Sequence, residues 1–294
     1  MKFVTFHGAD GQLRPGFLSP DGREVIDARH AQAPLWAREL PPTLLQWVEL
    51  DLSALAKRLA VTEYPAAARL RTEAVRLAAP LPRPGKVVGA AFNFHDALRE
   101  RGMPAPEEPV LFVKSGRTVI GPDEPVRLHR DVGNVTYEAE LGVVIGRTAL
   151  RVAPEDAMHH VAGYLIVNDV SASDMVRADK GFVRGKNQPT FCPIGPWLVT
   201  PDEVADPLDQ SITLHIDGVL RQQGTTADLV FDIAALIAHA STQMPLDPGD
   251  IIATGTPAGV AASHDPPAWL KPGMQMRVDL PGLGTLNTPI TEDH

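Results

Sequence analysis

The sequence predicts an α+β fold that is mainly β, and three observations carry that expectation. Strand-like apolar runs outnumber helical ones, the two kinds do not alternate as regular βαβ units, and 28 prolines cut the 294 residues into short pieces. Residues 1 to about 30 read as strands joined by tight turns: MKFVTF, then GFL between Pro15 and Pro20, then EVIDA. From about residue 41 to 77 the pattern is helical, with apolar residues three and four apart in TLLQWVELDLSALAKRLA. AAPLPRPGK, residues 78–86, is a stiff proline-rich connector. It sets the expected boundary between a small N-terminal domain, residues 1–80, and a larger domain, residues 81–294. Beyond it, KVVGAA, PVLFVK, YEAELGVVIG, HVAGYLIVNDV, IGPWLVT, ITLHIDGVL, DIIATG and QMRVDL read as strands. Helices are expected near residues 96–101 and 154–159 and over LVFDIAALIAHAST.

A chain of this length can bury one large core or two smaller ones. A formal charge of −9 and a pI near 5.5 argue against nucleic acid or an anionic membrane as the main partner. The single cysteine, Cys192, excludes an internal disulfide and fits a reducing compartment. Flanked by Phe191 and Pro193 with no adjacent base, it reads as a small buried hydrophobe. Met1 opens directly onto an amphipathic strand, and no apolar run approaches membrane-spanning length. The expectation is a soluble, cytoplasmic protein.

The stretch that points to chemistry is NVTYEAELGVVIG, residues 134–146. Side chains alternate along a strand, so Glu138 and Glu140 share one face while Tyr137, Ala139, Leu141, Val143 and Ile145 share the other. The acidic face continues through Gly142, Val144 and Gly146, which is no solvated face. Two like charges heading into apolar surroundings call for a cation between them. A third acid, Asp169, ends the apolar run of residues 161–167, where it can line a cleft. Three carboxylates without a nearby His or Cys form a hard-ligand site suited to Mg²⁺ or Mn²⁺ rather than zinc.

YEAELGVVIG, GYLIVNDVSASD and GTPAGV together resemble the fumarylacetoacetate hydrolase family. The resemblance extends to KVVGAAFNFHDALRE, PVLFVKSGRTVIGP, RGKNQPTFCPIGPWLVT, DPGDIIATGTPAGV and LKPGMQMRVDLPGLGTLN, so it covers almost everything from Lys86 onward. It implies a mixed β-sandwich or roll preceded by a small α+β domain, and commonly a homodimer. It implies Glu138, Glu140 and Asp169 as ligands of Mg²⁺ or Mn²⁺, Lys186 as the catalytic lysine beside the metal, and Thr256 with Gly255 as holders of the substrate carboxylate. The implied partner is a small 2-oxo acid whose enolate the metal stabilises.

Two departures from the family pattern bear on the reaction. Hydrolytic members carry a lid helix, Asn-Tyr-x-Asp-His-x-x-Glu, whose His and Glu activate water. The stretch here is Asn93-Phe94-His95-Asp96-Ala97-Leu98-Arg99-Glu100. Glu100 is kept, and Ala97 stands in place of the histidine. His95 is the substitute base to consider, but five residues of helix turn it roughly 140° away from Glu100. Asn93 is expected to cap that helix. After the third ligand the family often places an Arg and a Gln that contact substrate; this chain has Ser173 and Val176 there, with Asp174 retained. That loss predicts a pocket less suited to a distal carboxylate. The leading expectation is a metal-dependent C–C hydrolase of an acylpyruvate-like acid. Decarboxylation or isomerisation through the same enolate is the alternative, and a catalytically weakened accessory protein that binds metal and oxo acid is another.

Overall fold

The computed structural model describes residues 1–293. It is a mixed α/β structure with mostly β character, organised by a twelve-stranded sheet. Its main path runs Arg69–Arg71, Glu24–Ile26, Leu13–Leu18, Lys2–His7, Cys192–Val199, Val161–Asn168, Ala139–Ile145, Ile251–Ala253, Lys86–Ala91 and Val110–Ser115. Five further strands, including Ser211–Ile216, Gln275–Leu280 and Gly284–Glu292, form a second sheet. The strand Lys2–His7 pairs with Cys192–Val199, so residues before the proline-rich connector extend the sheet built by residues after it.

Residues of one strand divide between two cores, which marks the large sheet as the middle layer. Leu141, Val143 and Ile145 join the core shared with the second sheet and the helix Ile233–Gln243. Val144, between them, packs in the core beneath the N-terminal helices. All five residues expected to oppose the acids, Tyr137, Ala139, Leu141, Val143 and Ile145, are fully buried in the first core.

The N-terminal helical region is shorter than its apolar spacing predicts. Helices Leu44–Glu49 and Leu52–Ala60 are separated by Leu50 and Asp51, because the Asp51 carboxylate accepts the Ala54 N–H at 3.0 Å and starts a new helix. Beyond Pro65 a single 3-10 turn, Ala66–Ala68, leads into the short strand Arg69–Arg71, which pairs with Glu24–Ile26. Edge pairing there stops the alanine run after one helical turn.

Candidate active site

The antiparallel register of Ala139–Ile145 with Val161–Asn168 sets Ala139 opposite Asn168 and Glu140 opposite Val167. The ends of the two strands are tied further by backbone bonds. Glu138 N–H donates to Asn168 Oδ1 at 3.0 Å, and Asp169 N–H donates to the Glu138 carbonyl at 2.8 Å. Glu138, Glu140 and Asp169 thereby converge, with one carboxylate oxygen from each within 4.8 Å of the others. Glu140 and Asp169 are buried, and Glu138 shows a small exposed edge to a cavity of about 280 Å³. That volume suits a small organic acid, since drug-sized ligands occupy roughly 300–1,000 Å³.

Two lysines hold the acids. Lys186 Nζ donates to Glu138 Oε2 at 2.6 Å and to Asp169 Oδ2 at 2.5 Å, 4.7 Å from the centre of the Phe112 ring. The sequence reading missed the second lysine. Lys114 is fully buried and spends its three donors on Asp169 Oδ1 (2.5 Å), the Val170 carbonyl (3.0 Å) and the Phe191 carbonyl (2.7 Å). Asp169 therefore carries a lysine on each oxygen. A signal for Lys114 existed: it shares strand parity with buried Phe112, whereas Val113 and Ser115 are exposed. Gln222 was missed as well. Buried on a distant strand, it accepts the Ala139 N–H at 3.0 Å and donates to Thr256 Oγ1 at 2.8 Å.

The electrostatics separate the three acids. Burial pushes Glu140 well above the usual carboxylate range, with Asp169 and Glu138 adding like-charge repulsion. Glu138 is also raised, by burial first, while Lys186 pulls it back. Burial would raise Asp169 too, but Lys114 and Lys186 outweigh it and hold this carboxyl below its ordinary range. Lys186 is raised and stays an ammonium, because Asp169 and Glu138 together overcome its burial. Once all three acids are ionised, as a bound cation would make them, three carboxylates face two lysines. An all-oxygen donor set of this kind fits a hard dication, which would favour the ionised form of the raised glutamates.

The GTPAG loop closes the site. Gly255 N–H donates to Glu140 Oε2 at 2.8 Å, and the Thr256 hydroxyl donates to the Ala139 carbonyl at 3.0 Å while facing the cavity. Gly255 has φ +100°, and a Cβ there would stand 3.0 Å from both the Ala90 carbonyl oxygen and Asn93 Cβ. Gly255 thus orients the Glu140 carboxylate, and the proton of Thr256 is already engaged. Cys192 is buried, and burial raises its thiol to about 12, as expected of a structural residue.

The lid helix is His95–Arg101, and its faces sort the expected catalytic residues. Ala97, Leu98 and Arg101 line the cavity. His95 is exposed and outside the lining, and Glu100 binds elsewhere, accepting the Gly259 N–H at 3.2 Å and the Ser263 hydroxyl at 2.5 Å. The structure thus does not bring His95 and Glu100 together. Asn93 does not cap the helix either. Its buried side chain donates to the Thr254 and Phe231 carbonyls and accepts the Phe231 N–H, and Asp228 takes the Asp96 N–H at 2.6 Å instead.

Residues 86–291 match the family model described as fumarylacetoacetate (FAA) hydrolase C-terminal. The chain belongs to the fumarylacetoacetate hydrolase family. Among curated members it is 36% identical over 293 residues to oxaloacetate tautomerase fahd2, mitochondrial, of Xenopus laevis, covering 99% of this chain and 90% of that one. It is also 36% identical over 294 residues to the 2,4-didehydro-3-deoxy-L-rhamnonate hydrolase of a Sphingomonas species, covering 99% and 96%. A solved fumarylacetoacetate hydrolase from Exiguobacterium antarcticum superposes with a TM-score of 0.84 at 32% identity, covering 100% of both chains. Family membership thus spans different reactions, and the departures at the lid bear directly on the choice. Among the described residues, no helix is long and apolar enough to cross a membrane.

Proposed function

We propose that this chain is a divalent-metal-dependent enzyme that isomerises a small 2-oxo acid through its enolate, in the manner of a keto–enol tautomerase. The observation that carries this reading is the lid helix. It presents Ala97 to the cavity where a water-activating base would stand, leaves His95 outside and commits Glu100 to Gly259 and Ser263. Isomerisation adds no water across a bond, so it needs no base to activate water; the proton that leaves carbon would pass to solvent at the open side of the cavity, and one would return to oxygen from there.

Glu138, Glu140 and Asp169 would hold Mg²⁺ or Mn²⁺, which as a Lewis acid supplies charge stabilisation for the enolate of a 2-oxo acid. Lys114 fixes Asp169 by one oxygen, leaving the other free to turn from Lys186 to a ligand role. Lys186, held as an ammonium, serves as a hydrogen-bond donor and a local positive charge rather than as a base. Gly255 orients Glu140, while Phe92, Leu98 and Phe112 supply apolar surface to the cavity wall.

Hydrolytic C–C cleavage is the second reading, favoured by the likeness to the rhamnonate hydrolase. The two separate in one experiment. Mg²⁺-loaded protein is mixed with oxaloacetate, following keto–enol exchange by ultraviolet absorbance, and in parallel with an acylpyruvate, following pyruvate release. The proposal expects metal-dependent acceleration of the exchange and little pyruvate. Pyruvate release with no effect on the exchange would replace it with the hydrolytic reading.

A further inference from the structure

Gln222 stands on the strand Val219–Thr225 of the second sheet, and its buried amide closes a ring of hydrogen bonds at Ala139, the residue between Glu138 and Glu140. Ala139 needs such partners. The strand Ile251–Ala253 pairs with Gly142–Val144 and ends before it reaches Ala139. Gln222 Oε1 accepts the Ala139 N–H at 3.0 Å, and the Thr256 hydroxyl donates to the Ala139 carbonyl at 3.0 Å. Gln222 Nε2 then donates to Thr256 Oγ1 at 2.8 Å and to the Pro257 carbonyl at 2.9 Å. A Cβ on Gly224 would stand 2.4 Å from Pro257 Cβ, so this strand lies tight against the loop that carries Thr256.

Every bond in this ring has a single possible direction, because an amide N–H only donates and a carbonyl only accepts. The Ala139 N–H fixes the Gln222 oxygen on its side, and the Pro257 carbonyl fixes the nitrogen on the other. That nitrogen makes Thr256 Oγ1 an acceptor, while the Ala139 carbonyl takes the threonine's only hydroxyl proton. Thr256 therefore faces the cavity with a lone pair to offer and no proton to give. The family resemblance implies that it holds the substrate carboxylate, but a carboxylate or keto oxygen brings only lone pairs. The Thr256 hydroxyl can donate to neither without breaking the ring. It can accept from a ligand hydroxyl with the ring intact.

We propose that Gln222 is a positioning residue that holds Thr256 Oγ1 as an acceptor toward the cavity, where it receives the C2 hydroxyl of the enol form of the bound acid. This rests on the proposed function, in which a 2-oxo acid exchanges with its enol at this site. The keto form has no proton on that oxygen, so there the Thr256 lone pair meets only another lone pair. The ring thus favours the enol over the keto form by about one hydrogen bond. Gln222 does this through Thr256, without touching the ligand itself. Because the ring begins and ends on Ala139, the polarity at Thr256 is tied to the same backbone that carries Glu138 and Glu140.

The test is calorimetric competition against oxalate on Mn²⁺-loaded protein, with pyruvate and both enantiomers of lactate as competitors. Oxalate and pyruvate present only acceptors, whereas lactate carries a C2 hydroxyl and is a saturated stand-in for the enol. The readout is the ratio of lactate to pyruvate affinity, taken for the tighter enantiomer. A general loss of structure weakens both ligands and leaves that ratio in place. In Thr256→Val the ratio is expected to fall roughly three- to tenfold, the size of one neutral hydrogen bond, and Thr256→Ser should hold it near the parent value. Gln222→Met should lower it by a similar factor, because the freed Thr256 hydroxyl can then donate into the cavity. Gln222→Met/Thr256→Val should fall no further than Thr256→Val alone. Gln222→Asn, which withdraws the amide by one methylene, takes the place of Gln222→Met where that variant does not fold. A ratio unchanged in Thr256→Val, or lowered there but unchanged in the Gln222 variant, would overturn the proposal and leave the proposed function standing. Failure of oxalate to bind the metal-loaded parent would overturn both.

Discussion

The two ends of the cavity are built on different principles. At its base, Glu140, Asp169, Lys114 and Lys186 are buried on or beside strands, and every donor of Lys114 is satisfied. At the rim, Ala97, Arg101, Ser173 and Arg177 ride on two short helices, and none of the residues of Ser173–Asp179 is fully buried. A change at the base leaves a buried charge without its partner, which costs several kcal/mol. Ala97 apart, which is buried, a change at these rim positions exchanges one hydrated side chain for another, usually within about 0.5 kcal/mol. The base can therefore keep one chemistry while the rim is altered freely, and relatives bearing tautomerase and hydrolase names fit that division.

Substitutions can break or sharpen this contrast. The largest effect is expected from Lys114→Met, which leaves Asp169 and two carbonyls short of a buried donor. Urea denaturation should show a loss of about 3–5 kcal/mol, the typical result of removing one partner of a buried ion pair. Glu140→Gln should weaken Mn²⁺ binding by more than roughly 100-fold, beyond the 10–100-fold typical of outer-shell partners. A variant that binds Mn²⁺ as tightly as the parent would move the metal site elsewhere. Gly255→Ala should destabilise the protein by about 1–2 kcal/mol, because it forces a side chain into a left-handed φ against the Ala90 carbonyl oxygen. Thermal melting would measure this, and an unchanged melting temperature would show that the loop relaxes freely. At the rim, His95→Ala should leave turnover within about twofold of the parent, since this exposed side chain lies outside the cavity. A loss of orders of magnitude would make His95 the missing base and restore the hydrolytic reading.

What the sequence revealed follows the same division. Period-two alternation sufficed to place Glu138 and Glu140 on one face and five apolar residues on the other, because a strand buried on both sides leaves its acids no neutral interpretation. Lys114 escaped because a lysine among Val, Phe and Val reads as the wet face of an edge strand, and its partner lies 55 residues away. Asn93 was mistaken for a cap for the same reason: its partners are 138 and 161 residues distant, and local pattern cannot register them. The helical spacing across residues 61–77 gave way to pairing with Glu24–Ile26, again a long-range contact.

The central claim is that Glu138, Glu140 and Asp169 hold a divalent cation. The direct test is an anomalous-difference map from crystals grown with Mn²⁺. A single strong peak is expected within bonding distance of all three carboxylates, with Lys186 Nζ withdrawn from Glu138 or Asp169 and Lys114 still on Asp169. A Mn²⁺ peak elsewhere, or none with Lys186 still bridging both acids, would contradict it.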